Sequence, residues 1–140
     1  MLKLFPVVIC IFLCLSCNNT DNKSLAIKFS ADSSAIVISN IEAAALLHLK
    51  NNIKIDTAYQ KLVSVVETPS DDDSISMERD WPGKLMMKED NAVFTPDSPF
   101  LKGKTYLVET QLNMSFGDLE QMVKGNVRAR MNFQQQVLKR

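Results

Sequence analysis

The sequence has few of the residues that catalytic and metal sites commonly require. Its 140 residues include one histidine, His48, which excludes any mechanism that needs two imidazoles within the chain. Sixteen basic and sixteen acidic side chains cancel, so the concentrated positive charge of a general nucleic-acid binder is missing. Four glycines and five prolines exclude a collagen-like or low-complexity chain. With 46% hydrophobic and 23% charged residues, one folded domain is expected.

The sequence also lacks an apolar run long enough to cross a membrane as a helix. The run from Val7 to Leu15 has nine residues and follows the positive charge of Lys3. A spanning helix needs roughly 20 apolar residues, and this run is much shorter. The pattern therefore predicts a signal peptide over residues 1–16.

The end of this segment, Leu15-Ser16-Cys17, resembles the lipobox of bacterial lipoproteins. The resemblance implies that Cys17 carries lipid and becomes the first residue of the mature chain. Cys10 and Cys14 would leave with the signal peptide, so no thiol would remain for a disulfide. The position after Cys17 is Asn18 and not the aspartate that some Gram-negative bacteria use for inner-membrane retention, which favours the outer membrane. Residues 17–24 would form a polar tether to a domain at 25–140.

The remaining sequence is dominated by patterns typical of strands. Alternating or β-branched runs predict strands in the first, middle and last thirds of the chain. A helix is predicted over Ile41 to Lys50 with Asn40 as its cap, and Asp56 is predicted to cap a second helical turn. The predicted elements are as follows: strands at 25–29, 35–39, 63–67, 84–88, 92–95, 104–114 and 127–137, and a short helical insert at 117–124. The pattern predicts a mostly β, antiparallel two-sheet sandwich with one or two short helical connections.

The segment from Phe94 to Val108 resembles the late-strand signature of bacterial Ig-like domains. Pro96 and Pro99 end strand pairing because they lack N–H groups, and Gly103 permits a tight turn. Tyr106 then opens the next strand, and the resemblance implies a buried ring whose hydroxyl bonds backbone, as in a tyrosine corner. The whole chain resembles small lipoproteins of the Bacteroidetes that carry an Ig-like domain. That resemblance implies a compartment and a fold, without an activity.

Three kinds of surface site are conceivable from the sequence. Trp81, the single tryptophan, could anchor a partner, although packing over the sandwich edge is the commoner role. Arg128 and Arg130 are predicted on the outer face of the last strand, where they could meet an acidic partner. The loop Asp71-Asp72-Asp73 could bind Ca²⁺, but its spacing does not match a calcium-binding loop.

His48 and the methionines are candidates for metal binding or catalysis. A copper site could be drawn from His48, Met77 and Met86, since thioethers favour Cu(I). A hydrolase could use His48 as its base, but no nucleophile motif accompanies it. The sequence therefore predicts a non-enzymatic binding or scaffolding module, anchored in the bacterial envelope through Cys17, with no metal or other cofactor. Its partner would be an envelope protein or polymer. A metal-binding protein and a small hydrolase remain the alternatives.

Overall fold

Antiparallel strands are the commonest regular structure in the described part of the chain. A computed structural model describes residues 24–73, 75–113 and 134–140. Within these ranges the strands are β1 (Ala26–Phe29), β2 (Ile36–Ser39), β3 (Val63–Thr68), β4 (Arg79–Asp80), β5 (Gly83–Lys88), β6 (Asn91–Pro96), β7 (Thr105–Thr110) and β8 (Gln134–Lys139). The predicted strands at 25–29, 35–39, 63–67, 84–88 and 92–95 are confirmed to within a few residues.

The strands form two sheets, with the orders β1-β2-β6-β5 and β4-β3-β7-β8, and every neighbouring pair is antiparallel. An immunoglobulin sandwich groups its first, second, fifth and fourth strands in one sheet and the remaining strands in the other. The order found here agrees with that grouping when β4 is counted as an extra strand beside β3. The prediction of a mostly β sandwich is confirmed.

The core forms where alternate residues of both sheets point inward. The side chains of Ile36, Ile38, Leu85 and Val108 are almost completely buried. Burial of apolar surface of this kind contributes about 25 cal/mol for each Å² removed from water. Strand alternation, which the sequence shows directly, therefore sets both the register and the inner face of most strands.

Two short helical elements connect β2 to β3. Helix α1 spans Ala43–Asn52, and a 3₁₀ helix spans Thr57–Leu62. Asp56 caps the 3₁₀ helix, because its carboxylate accepts a bond of 2.8 Å from the Ala58 N–H, as predicted. The predicted cap of α1 is wrong. Asn40 lies two residues before the capping position, Glu42, and has a positive φ of 60° as the chain leaves β2.

An aromatic cluster fills one region between the sheets. Tyr106 is fully buried, and its hydroxyl accepts a bond of 2.8 Å from the Leu101 N–H. The ring of Tyr106 lies 4.8 Å from that of Phe100 and 5.4 Å from that of Trp81, measured between centroids. The predicted use of a buried tyrosine to hold the preceding turn is confirmed.

Trp81 belongs to this cluster and not to the surface. The residue is only 6% exposed, and its Nε1–H donates a bond of 3.0 Å to the Ser98 carbonyl. Its indole packs against the rings of Phe100 and Tyr106, and the residue also lines a cleft beside Val65 and Gly83. The packing role that the sequence favours is therefore confirmed, and a contact of Trp81 with a partner stays a prediction.

The last two strands differ from the prediction in length and orientation. Strand β7 ends at Thr110, and the following Gln111 N–H donates to the Leu62 carbonyl instead of continuing the strand. In β8, Leu138 lies opposite the inward-facing Tyr106, so Val137 points outward and is 57% exposed. With Arg128 and Arg130 on the outer face, alternation along the predicted strand at 127–137 places Val137 inward. This prediction is wrong, because pairing with β7 decides the face. Arg128, Arg130 and the predicted helical insert lie outside the described residues.

Replacing Tyr106 with phenylalanine tests the tyrosine corner. Tyr106→Phe removes the bond that the buried Tyr106 hydroxyl accepts from the Leu101 N–H, and we expect a loss of about 0.5–1.5 kcal/mol in the free energy of unfolding. Urea denaturation measures it. Tyr59→Phe is the comparison, because that hydroxyl contacts the side chain of His48, which is half-buried and can turn toward water. An equal loss in both variants would contradict the special role of Tyr106.

Candidate functional site

A groove of about 540 Å³ runs along the open edge of β5. Strand β5 is the outermost strand of its sheet, so only β6 pairs with it among the described strands. The opposite wall comes from the end of α1 and from the 3₁₀ helix. The groove has the size of a ligand-binding cleft, and its lining consists of Ile53, Lys54, Thr57, Gln60 and residues 83–87.

The side chain of Gln60 binds the edge of β5 as another strand would. Its amide Nε2–H donates to the Leu85 carbonyl at 2.9 Å, and its Oε1 accepts from the Leu85 N–H at 2.7 Å. A residue on a neighbouring antiparallel strand offers the same donor and acceptor to the residue opposite it. The Gln60 amide therefore occupies the position of one missing strand residue.

These bonds reveal which backbone groups of β5 face the groove. Antiparallel pairs alternate between hydrogen-bonded and non-bonded positions, and Leu85 directs its backbone groups away from β6. By this alternation Gly83 and Met87 also face the open edge. The position of Pro96 opposite Gly83 is consistent with this, because proline has no N–H to donate.

Gly83 allows β5 to approach its neighbour closely at the mouth of the groove. A Cβ atom at this position would lie 2.4 Å from the Thr95 carbonyl oxygen and 2.6 Å from the Phe94 ring. Both contacts are shorter than real Cβ atoms tolerate, so only glycine fits without a shift of the backbone. A second cleft of about 330 Å³ opens beside it and shares Gly83 and Gln60 with the first groove.

The groove combines an apolar floor with positive charge. Ile53 and Leu85 are buried at its base, and Met86 is 60% exposed at its rim. Lys54 and Lys84 line it, no carboxylate does, and neither lysine forms a salt bridge within the described residues. An amphipathic ligand with negative charge is the chemistry that matches such a surface.

His48 is engaged in a local hydrogen-bond network. The Tyr59 hydroxyl lies 2.5 Å from its Nε2, and the Asn52 amide lies 3.4 Å from its Nδ1. The ring nitrogen that bound copper or accepted a proton would have to give up its present contact. Met77 and Met86, the other proposed copper ligands, belong to separate elements, a loop and β5. The network ties α1 to the 3₁₀ helix and so supports one wall of the groove.

The acidic loop uses one of its carboxylates for its own structure. Asp73 accepts bonds from the Ile75 N–H at 3.2 Å, the Ser76 N–H at 3.0 Å and the Ser76 hydroxyl. Chiefly the bond from the Ser76 hydroxyl holds the pKa of Asp73 below its usual value. Among the described residues, Asp71, Asp72 and Asp73 join no cluster of metal-binding side chains.

Gln60 and the groove were missed by the sequence reasoning. Gln60 lies between Tyr59 and Leu62, where a polar residue is typical of the exposed side of a helical turn. Its spacing from these buried residues was the one feature that could have indicated its role. Cys17, Arg128 and Arg130 lie outside the described residues. The helices that the structure describes are too short and too polar to span a membrane.

No protein-family model matches the sequence, and no curated protein or solved structure shows significant similarity to it. The geometry of the groove and the sequence of residues 1–17 are therefore the observations that bear on function.

Removing the Gln60 amide tests whether it holds the β5 edge. In Gln60→Ala two hydrogen bonds to Leu85 disappear, and we expect a loss of about 1–3 kcal/mol in unfolding free energy. Hydrogen exchange of the Leu85 amide should also accelerate. Gln135→Ala is the matched control, since that amide bonds only Glu109 on the exposed surface. Unchanged exchange at Leu85 would contradict the proposed contact.

The acidic loop predicts a specific pH dependence. Because folding lowers the pKa of Asp73, its contribution is complete above the unfolded value of about 3.9 and is lost as the pH falls through the lower folded value. We expect the stability difference between wild type and Asp73→Asn to shrink below about pH 4. Urea denaturation from pH 7 to pH 2 measures it. Asp72→Asn serves as the control, and an Asp73→Asn difference that grows on acidification would contradict the assignment.

Proposed function

We propose that this chain is a lipid-anchored, non-enzymatic binding module of the bacterial envelope, and that it binds its partner in the groove beside β5. The observation that carries the proposal is the edge of β5. Within the described residues no further strand pairs with this edge, the Gln60 side chain bonds it, and the two lysines that line the groove form no salt bridge. The partner would be another component of the envelope.

The leader sequence supports the anchor. Lys3, the apolar run and Leu15-Ser16-Cys17 follow one another in the order of a lipoprotein signal. The first strand, β1, begins at Ala26, nine residues after Cys17. Nine residues reach at most about 30 Å when fully extended, so the domain would work close to the membrane surface.

The engagement of the reactive side chains favours binding over catalysis. His48 bonds Tyr59 and Asn52, while Asp73 closes its own loop. The groove instead offers an apolar floor, lysine side chains and an open strand edge, which are groups that recognise a partner.

Metabolic labelling with a palmitate analogue tests the anchor. We expect Cys17→Ala to lose the label and to leave the membrane fraction, because the alkylated thiol is missing. Cys10→Ala should keep the label, since that residue would be removed with the signal peptide. Label retained on Cys17→Ala would contradict lipidation at this residue.

Site-specific photocrosslinking in intact cells tests the binding surface. A crosslinker at Lys54 should give one dominant adduct, because Lys54 lines the groove. The matched position is Val137, which is 57% exposed on the outer face of the other sheet. Identical adducts from both positions, or none from Lys54, would overturn the assignment of the groove.

A further inference from the structure

We propose that the groove binds an extended, acidic peptide segment of the partner, which adds to the edge of β5 as a further strand. This inference rests on the proposed function, because it takes the same groove as the binding surface. It goes further by naming the chemistry of the ligand and the atoms that recognise it.

The Gln60 amide shows that the edge of β5 accepts a backbone-like partner. Leu85 presents its N–H and C=O to the groove, and the Gln60 carboxamide bonds both. A carboxamide carries a donor and an acceptor side by side, as a peptide group does. A peptide that enters the groove replaces this amide bond for bond. The exchange leaves no hydrogen bond of Leu85 unmade.

A peptide can gain bonds that Gln60 does not make. Gly83 and Met87 face the same edge on either side of Leu85, and the Gln60 amide reaches only the middle residue. The three positions span about 13 Å at the usual strand rise, which corresponds to a ligand strand of about five residues. Main-chain bonds of this kind supply affinity in strand addition, and the side chains on alternate positions supply selectivity.

The side chains of β5 define the sequence pattern of the ligand. Lys84, Met86 and Lys88 point to the outer face, whereas Leu85 is buried on the inner face. An added strand places its own alternate residues beside them. Acidic residues on the outer face would meet Lys84 and Lys88, and apolar residues on the inner face would cover Leu85 and Ile53. The fitting ligand alternates acidic and apolar residues.

Two other occupants, a second copy of β5 and the tether at residues 18–24, fit the groove less well. Antiparallel pairing of two β5 strands about Met86 would bring Lys84 of each copy opposite Lys88 of the other, and like charges in that position are destabilising. Residues 18–24, Asn-Asn-Thr-Asp-Asn-Lys-Ser, contain no apolar side chain to cover the floor of the groove. A separate acidic peptide satisfies both requirements.

Protection of the edge is the competing explanation of the same contacts. Natural sheets often guard an exposed edge with lysines or a covering side chain, so Gln60, Lys84 and Lys88 could serve only to prevent aggregation. The two explanations predict opposite results for the removal of Gln60. If Gln60 only protects the edge, its removal should cause aggregation. If Gln60 competes with a ligand for the edge, its removal should give tighter binding of the ligand.

The test uses full-length protein in detergent micelles and a fluorescent peptide, Glu-Val-Glu-Val-Glu-Val, with fluorescence anisotropy as the readout. We expect saturable binding that weakens with salt, and at least about tenfold weaker binding of the lysine counterpart, Lys-Val-Lys-Val-Lys-Val. Peptides methylated on the amides of one edge or of the other separate strand addition from simple charge attraction. Only methylation of the edge that faces β5 should abolish binding.

Protein variants test the contacts from the other side. Gln60→Ala should bind the acidic peptide about tenfold more tightly, since no internal amide has to be displaced. Met87→Pro removes an N–H that faces the groove without removing a bond to β6, and it should abolish binding. Met87→Ala controls for the loss of the side chain. If Met87→Pro does not fold, the methylated peptides still decide the question.

Equal binding of both methylated peptides, or of the acidic and basic peptides, would overturn strand addition. Aggregation of Gln60→Ala without tighter binding would show that the edge is only guarded. If the Lys54 crosslink persists in cells while the acidic peptide fails to bind, strand addition is wrong and the proposed binding function stands. Loss of both signals would overturn the two proposals together.

Discussion

Between Asp80 and Gly83 the chain passes from one sheet to the other within two residues, and the buried indole of Trp81 holds that crossing in place. The backbone N–H of Trp81 donates to the Val65 carbonyl at 2.8 Å, and the Pro82 carbonyl accepts from the Asp97 N–H at 2.9 Å. These contacts tie the crossing to both sheets. They set where β5 begins, and the groove depends on the position of β5.

The close approach of Gly83 to β6 follows from the same crossing. Strand β5 enters its sheet at the outside position, so one edge pairs with β6 and the other remains open. An open edge is a hazard for a folded protein because it can pair with any extended chain. Here one glutamine from the neighbouring 3₁₀ helix covers the central residue of that edge. In the proposed function, a ligand gains this edge by displacing that one side chain.

Much of the fold could be predicted from local sequence. Alternation at Ile36-Val37-Ile38 identifies a strand, and the proline-rich turn before Tyr106 identifies the tyrosine corner, because each signal depends on neighbours in the chain. For Val137 the predicted face is wrong. The face that each residue presents depends on which strands meet in space, and no local pattern reports that.

The site was harder to predict than the fold for a related reason. Gln60 acts on Leu85 across 25 positions in the sequence, so its role exists only once the 3₁₀ helix and β5 are side by side. Conversely, residue type alone suggested sites at His48, Trp81 and Asp73. Each of these side chains makes a structural contact in the fold. Residue type alone is therefore a weak guide to function in a small sandwich.

Amide hydrogen exchange at Met87, with and without saturating acidic peptide, tests the central claim most directly. The Met87 N–H faces the open edge, where an added strand would accept its hydrogen bond. Protection of the Met87 amide on binding, with the Met86 amide unchanged because it already pairs with β6, is the predicted result. Binding that leaves the Met87 amide as exchangeable as in the free protein would contradict strand addition at β5.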